Sequence, residues 1–134
     1  MVRTIGRSGA LWCFAMVLAA AIFERGSAAA QSKVPVKARA EAASIFTDRC
    51  AVCHGDNGDG KGPAADSLDP KPINFRDAKW QGSVTNEKIA QVIVYGGPAA
   101  GLSASMSANP DLKTRPEVVA ALVQRIRSLA PKPH

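Results

Sequence analysis

Cysteine is scarce in this sequence, with three in 134 residues, and histidine scarcer, with two. So few thiols exclude a disulfide framework. The one close pair, Cys50 and Cys53, would close too small a loop to stabilise much. A structural zinc needs about four protein ligands and would consume every Cys and His after the N-terminal segment, Cys50, Cys53, His54 and the C-terminal His134. Period-two alternation of apolar residues is missing, which excludes a half-buried sheet and leaves an all-α fold. No apolar run is long enough to span a bilayer. The longest, Ala10 to Phe23, has fourteen residues, and at about 1.5 Å rise it covers roughly 21 Å of a hydrocarbon core of about 30 Å. The surplus of basic residues is modest, a net charge of +6, and too scattered to grip nucleic acid.

What is present begins with a leader. "MVRTIGR" carries Arg3 and Arg7, the apolar run follows, and "GSAAAQS" places Ala28 and Ala30 before a cut after residue 30. A basic start, a short apolar stretch and a small-residue exit describe a secretory signal peptide over residues 1–30. No twin-Arg pair precedes the run, so general secretion is the expected route and a periplasmic or otherwise exported location follows. A retained anchor is the competing reading. Cleavage removes Arg3, Arg7, Glu24, Arg25 and Cys13, leaving residues 31–134 as one domain with a net charge of about +4. That charge suits encounter with an acidic protein partner.

The mature chain keeps only Phe46, Phe75, Trp80 and Tyr95 as aromatics. A chain this short with so few large apolar groups makes a marginal core, and staples or a cofactor usually make up the difference. Helices are expected from about Pro35 to Cys53, over "TNEKIAQVIVY" with Thr85 as N-cap, and over "TRPEVVAALVQRIRSLA" with Thr114 and Glu117 as a capping box and Pro116 in the first turn. Residues 55–84, with Pro63, Pro70 and Pro72, read as loop. A loop of that length needs something to wrap around.

"CAVCH" supplies the candidate. On a helix, positions i, i+3 and i+4 share a face, so Cys50, Cys53 and His54 present two sulfurs and one imidazole to a single object. The C-x-x-C-H spacing is a covalent haem attachment signal: two thioethers to the vinyl groups and a histidine to the iron. A thioredoxin-like motif would need a βαβ context that is missing here, and "DNGDG" does not fit a calcium-loop spacing. Met106 is the one methionine left after cleavage, and elimination makes it the other axial ligand. His134 is the alternative, disfavoured because termini fray. On this reading a void lies between His54 and Met106.

With these pieces in order, the chain resembles the single-haem class I cytochromes c from about Ala38 to Leu129. The matching stretches are "CAVCHG", "GDGKGPAADSL", a middle helix ending in "GG", "SMSANPDL" and "VVAALVQRIRSL". The resemblance implies about three main helices and long loops around one haem c, the first and last helices packed together. It also implies that the Pro63 carbonyl accepts the Nδ1 proton of His54. The family usually has an aromatic where this sequence has Arg125, and a proline where it has Ser107. Trp80 is a candidate donor to a haem propionate, or else a hydrophobic cover. The implied function is one-electron transfer, not enzyme catalysis, by a monomer meeting redox protein partners. A subunit of a periplasmic dehydrogenase or reductase complex, and a gas-binding or sensory haem protein with a labile Met ligand, are the alternatives.

Overall fold

The computed structural model describes residues 34–132. The expected leader, residues 1–30, and His134 lie outside them. Among the described residues all regular structure is helical. Helix α1 (Val36–Ile45) continues through a π turn, Phe46–Cys50, into α2 (Ala51–His54). This is one helical run as expected, with an inserted residue marked by the Ala51 amide reaching back to the Phe46 carbonyl. Such π turns often mark functional positions. Three further helices follow: α3 (Ala78–Ser83), α4 (Asn86–Tyr95) and α5 (Pro116–Ser128). None of the described helices is long and apolar enough to cross a membrane.

α1 packs along α5, and α4 packs against α5. Ala38, Ala42 and Ile45 fall at i, i+4 and i+7 and are buried. They meet the α5 stripe of Val118, Val119, Leu122, Val123 and Ile126. Small residues on this face, Ala38, Ala42 and Ala121, let the two backbones approach. Phe46, Leu112, Leu122 and Val118 are fully enclosed. Each buried aliphatic of this kind contributes about 1.5–3 kcal/mol.

Two expectations need correction. Residues 55–84 are not all loop, because α3 forms over "AKWQGS". Asp77 caps it, its carboxylate accepting from the Lys79 and Trp80 amides at 2.8 and 3.3 Å. At the start of α5 the Thr114–Glu117 box does not form. Arg115 is the N-cap, with no side-chain cap bond, and its guanidinium is instead paired with Glu41 of α1. Pro116 does sit in the first turn, and Thr85 does cap α4, accepting from the Lys88 amide at 3.2 Å.

Candidate haem site

The π turn delivers Cys50 to the end of the first helical run, and α2 carries Cys53 and His54. Gly55 stops α2 with φ +78°, a conformation that suits glycine. The loop after it folds straight back. Gly60, Gly62 and Ala64 donate their amides to the carbonyls of His54, Cys53 and Val52 at 2.8, 3.1 and 2.9 Å. The carbonyls left over at the helix end are thus satisfied by the loop. A Cβ on Gly62 would lie 2.3 Å from the Ala51 carbonyl oxygen, so only glycine permits this approach.

That tight return explains why Pro63 does not hold His54. Pinned between Gly62 and Ala64 against the outside of α2, Pro63 is exposed and off the wall of the site. The loop then travels round the site, and the carbonyl of Ile73 lies 2.9 Å from Nδ1 of His54. A carbonyl can only accept, so Nδ1 carries the proton and Nε2 carries the lone pair. His54 is 9% exposed. Burial holds its pKa below the usual 6.5, against the opposing pull of the Ile73 bond. The ring is therefore neutral at pH 7, the form that ligates metals. Its face lies on Phe75, with ring centres 4.4 Å apart and planes at 14°.

Beside these groups is a cavity of about 240 Å³. Cys53, His54 and Met106 all lie on its wall. The remainder is mostly apolar, with Ile73, Phe75 and Trp80 from the loop and α3, and Ile89, Val92 and Ile93 from α4. The expected void has its counterpart in this cavity, which both His54 and Met106 line. Met106 is carried by a loop folded onto the end of α4, its carbonyl accepting from the Gly97 amide at 2.9 Å. Lys71 and Lys88 also line the cavity, each donating from Nζ to backbone carbonyls: Lys71 to Ala65 and Asp66, Lys88 to Ala100. Trp80 lies 5.3 Å from Phe75 and tilted against it, and is partly buried on the wall. Tyr95 is 51% exposed and does not line the cavity.

Cys50 is not on the wall. It is half-buried as the last residue of the π turn, its sulfur 4.0 Å from the Ile45 carbonyl oxygen. Burial pushes its thiol up to about 11, despite the neighbouring guanidinium groups of Arg49 and Arg125. Both Cys50 and Cys53 are free thiols. Among the described residues no group of three or more Cys, His, Asp and Glu side chains gathers as a metal site. The donor set fits haem better than a bare ion: an apolar cavity has one thiol able to form a thioether, Cys53, a neutral imidazole and a thioether sulfur on its wall, and the second thiol, Cys50, lies one helical turn before Cys53.

Ile73, Phe75 and the two lysines were not singled out from the sequence. A backbone carbonyl has no side-chain signature, but Phe75 does carry a signal: it is one of very few aromatics and stands in a polar, proline-rich loop.

The cytochrome c family model matches residues 39–130. The solved structure of the KustC0563 c-type cytochrome is similar to this chain with a TM-score of 0.52 and 27% identity, covering 67% of this chain and 98% of that one. No curated protein sequence gives a match.

Proposed function

Because the chain belongs to the cytochrome c family, and so binds haem c covalently and serves electron transfer, we propose that it is an exported one-electron carrier whose haem iron is held between His54 and Met106. The observation that carries the reading is that Cys53, His54 and Met106 lie on the wall of one and the same apolar cavity.

Haem supplies an iron that changes oxidation state by one electron. The chain supplies the rest. Cys50 and Cys53 would tether the group by thioethers. His54, neutral and with its Nδ1 proton held by Ile73, offers Nε2 as donor, and the hydrogen bond raises its basicity. Met106 offers a soft sulfur, which favours the reduced state and a positive potential. The aliphatic and aromatic wall keeps water away from the metal. With His54 and Met106 both holding the iron, no coordination position would be left for a substrate, which favours a carrier over an enzyme. Export follows from the leader, and the basic surplus of the mature chain favours an acidic redox partner.

Mass spectrometry of the chain, produced in cells that attach haem, tests the assignment. The expected mass is residues 31–134 plus one haem, lost when Cys50 and Cys53 are replaced by Ala. An unmodified mature mass in the wild type would overturn the attachment, and a mass that retains residues 1–30 would overturn export as a cleaved protein.

A further inference from the structure

The His54 imidazole is oriented from two directions. In its plane, Nδ1–H donates to the Ile73 carbonyl. Across its face lies the ring of Phe75. Both contacts come from one short stretch of loop, and that stretch is itself fixed from behind. The Phe75 amide donates to the Gly58 carbonyl at 2.7 Å. The Phe75 carbonyl accepts from Nε2 of Gln81 at 2.7 Å, and the other hydrogen of that amide goes to the Ile126 carbonyl of α5 at 3.0 Å.

With both N–H groups of Gln81 facing carbonyls, its oxygen has to accept. Arg127 donates to it from Nη1 at 2.9 Å. Arg127 is held in turn by the Gln81 carbonyl at 2.7 Å, the Asn86 side-chain oxygen at 2.8 Å and the Val84 carbonyl at 2.5 Å. Filling a core requires volume only. Here every polar atom of a planar amide is assigned, and the amide grips the residue whose ring covers His54.

We propose that Phe75 and Gln81 are positioning residues for His54: Phe75 fixes the plane of the imidazole, and Gln81, braced by Arg127, fixes Phe75. The proposal rests on the reading of His54 as an iron ligand. A ring locked in one plane keeps its Nδ1–H bond short, and that bond governs how strongly Nε2 donates. Without the aromatic face the ring gains rotational freedom, the bond to Ile73 lengthens, and donation to the metal weakens. Weaker donation favours the reduced state.

The test uses haem-loaded wild type, Phe75→Leu, Phe75→Tyr, Gln81→Met and His54→Ala. The readouts are electron paramagnetic resonance of the oxidised proteins, the reduction potential, and the thermal midpoint as a measure of packing. The wild type should give one low-spin signal. Phe75→Leu should shift or split it and raise the potential, and Phe75→Tyr, which keeps the aromatic face, should restore both. Gln81→Met should move both in the same direction by a smaller amount. Wild-type signals and potentials in Phe75→Leu and Gln81→Met, with only the thermal midpoint lowered, would overturn the proposal. If Phe75→Leu fails to retain haem, an unchanged signal in Gln81→Met overturns it alone. A His54→Ala spectrum identical to wild type would overturn the ligand assignment itself, so the two failures are told apart.

Discussion

The guanidinium carbon of Arg125 lies 4.5 Å from the centre of the Phe46 ring, where α5 meets the first helical run. The family resemblance implies an aromatic at position 125; here a cation covers the aromatic supplied by the other helix. Two effects oppose one another. The cation over the ring is worth about 0.5–2 kcal/mol, while Nε of Arg125 is buried without a hydrogen-bond partner, a cost of about 1–3 kcal/mol. Arg125→Met keeps the cover and removes the stranded donor, so its stability should be within about 1 kcal/mol of wild type, or higher. Arg125→Ala uncovers Phe46 and should cost about 1–2 kcal/mol through lost packing. Thermal unfolding of the haem-loaded variants checks this; an equal loss in both would mean that the charge, not the cover, matters.

Gly97 carries the Met106 loop. Its φ of −62° is ordinary, so the demand for glycine is steric. A Cβ there would lie 2.0 Å from the Ser103 carbonyl oxygen and 3.0 Å from the Met106 Cβ. Gly97→Ala should push the loop off α4, cost about 1–3 kcal/mol and speed binding of added imidazole. Gly82 is the control. It is helical and exposed, with nothing within 4 Å of a new Cβ. Gly82→Ala should stabilise by about 0.5–1 kcal/mol and leave imidazole binding unchanged.

Behind Met106, two contacts of different worth hold the chain. Arg49 pairs with Asp111 at 2.9 Å, but the two side chains are 44% and 48% exposed, so the pair is worth at most about 1 kcal/mol. Asn109 donates from its side chain to the Ile93 carbonyl at 2.8 Å and from its amide to the Val94 carbonyl at 3.1 Å, tying the loop to the last turn of α4. Asp111→Ala should have a small effect that fades in high salt. The Asn109 side-chain oxygen also accepts from Arg49 Nη1 at 3.3 Å, an exposed contact; Asn109→Ala should cost about 1–2 kcal/mol, mainly by leaving the Ile93 carbonyl without its donor, and most of that loss should persist in high salt. Denaturant melts at low and high ionic strength distinguish them.

Glu41 and Arg115 join α1 to the start of α5. The hydrogen bond from Arg115 holds the Glu41 carboxyl below its ordinary 4.5. A lowered carboxylate pKa contributes stability that is fully present above the unfolded value and is lost as pH falls through the folded one. The stability difference between wild type and Glu41→Gln should therefore be constant near neutrality and shrink below about pH 4.5. A difference that survives at the acid end of the melt series would show that the pair is not its source.

Legibility in the sequence followed how local the determinant was. The apolar residues of the first run and of α5 repeat with helical period, Ala42 and Phe46 in the one and Leu122 and Ile126 in the other, and all four are buried. The π turn left no mark, because an inserted residue changes hydrogen bonding without changing composition. Helix α3 is six residues long, too short for a period to show, although Asp77 in "RDAKW" was a usable capping signal. Thr114 lost its expected role because Arg115 is drawn to Glu41, a contact set by tertiary packing. At the site, Cys50, Cys53, His54 and Met106 stood out by residue type and spacing. The partner of His54 did not, since Ile73 acts through its backbone and the tight return of the loop turns Pro63 outward.

The central claim is that Met106 closes the coordination of the iron opposite His54. Carbon monoxide added to the reduced, haem-loaded protein tests it most directly, with wild type and Met106→Ala compared by optical spectroscopy. The account predicts that wild type keeps its spectrum, while Met106→Ala retains covalent haem, binds carbon monoxide readily and has a lower potential. Rapid carbon monoxide binding by wild type, or a Met106→Ala protein with unchanged spectrum and potential, would contradict it.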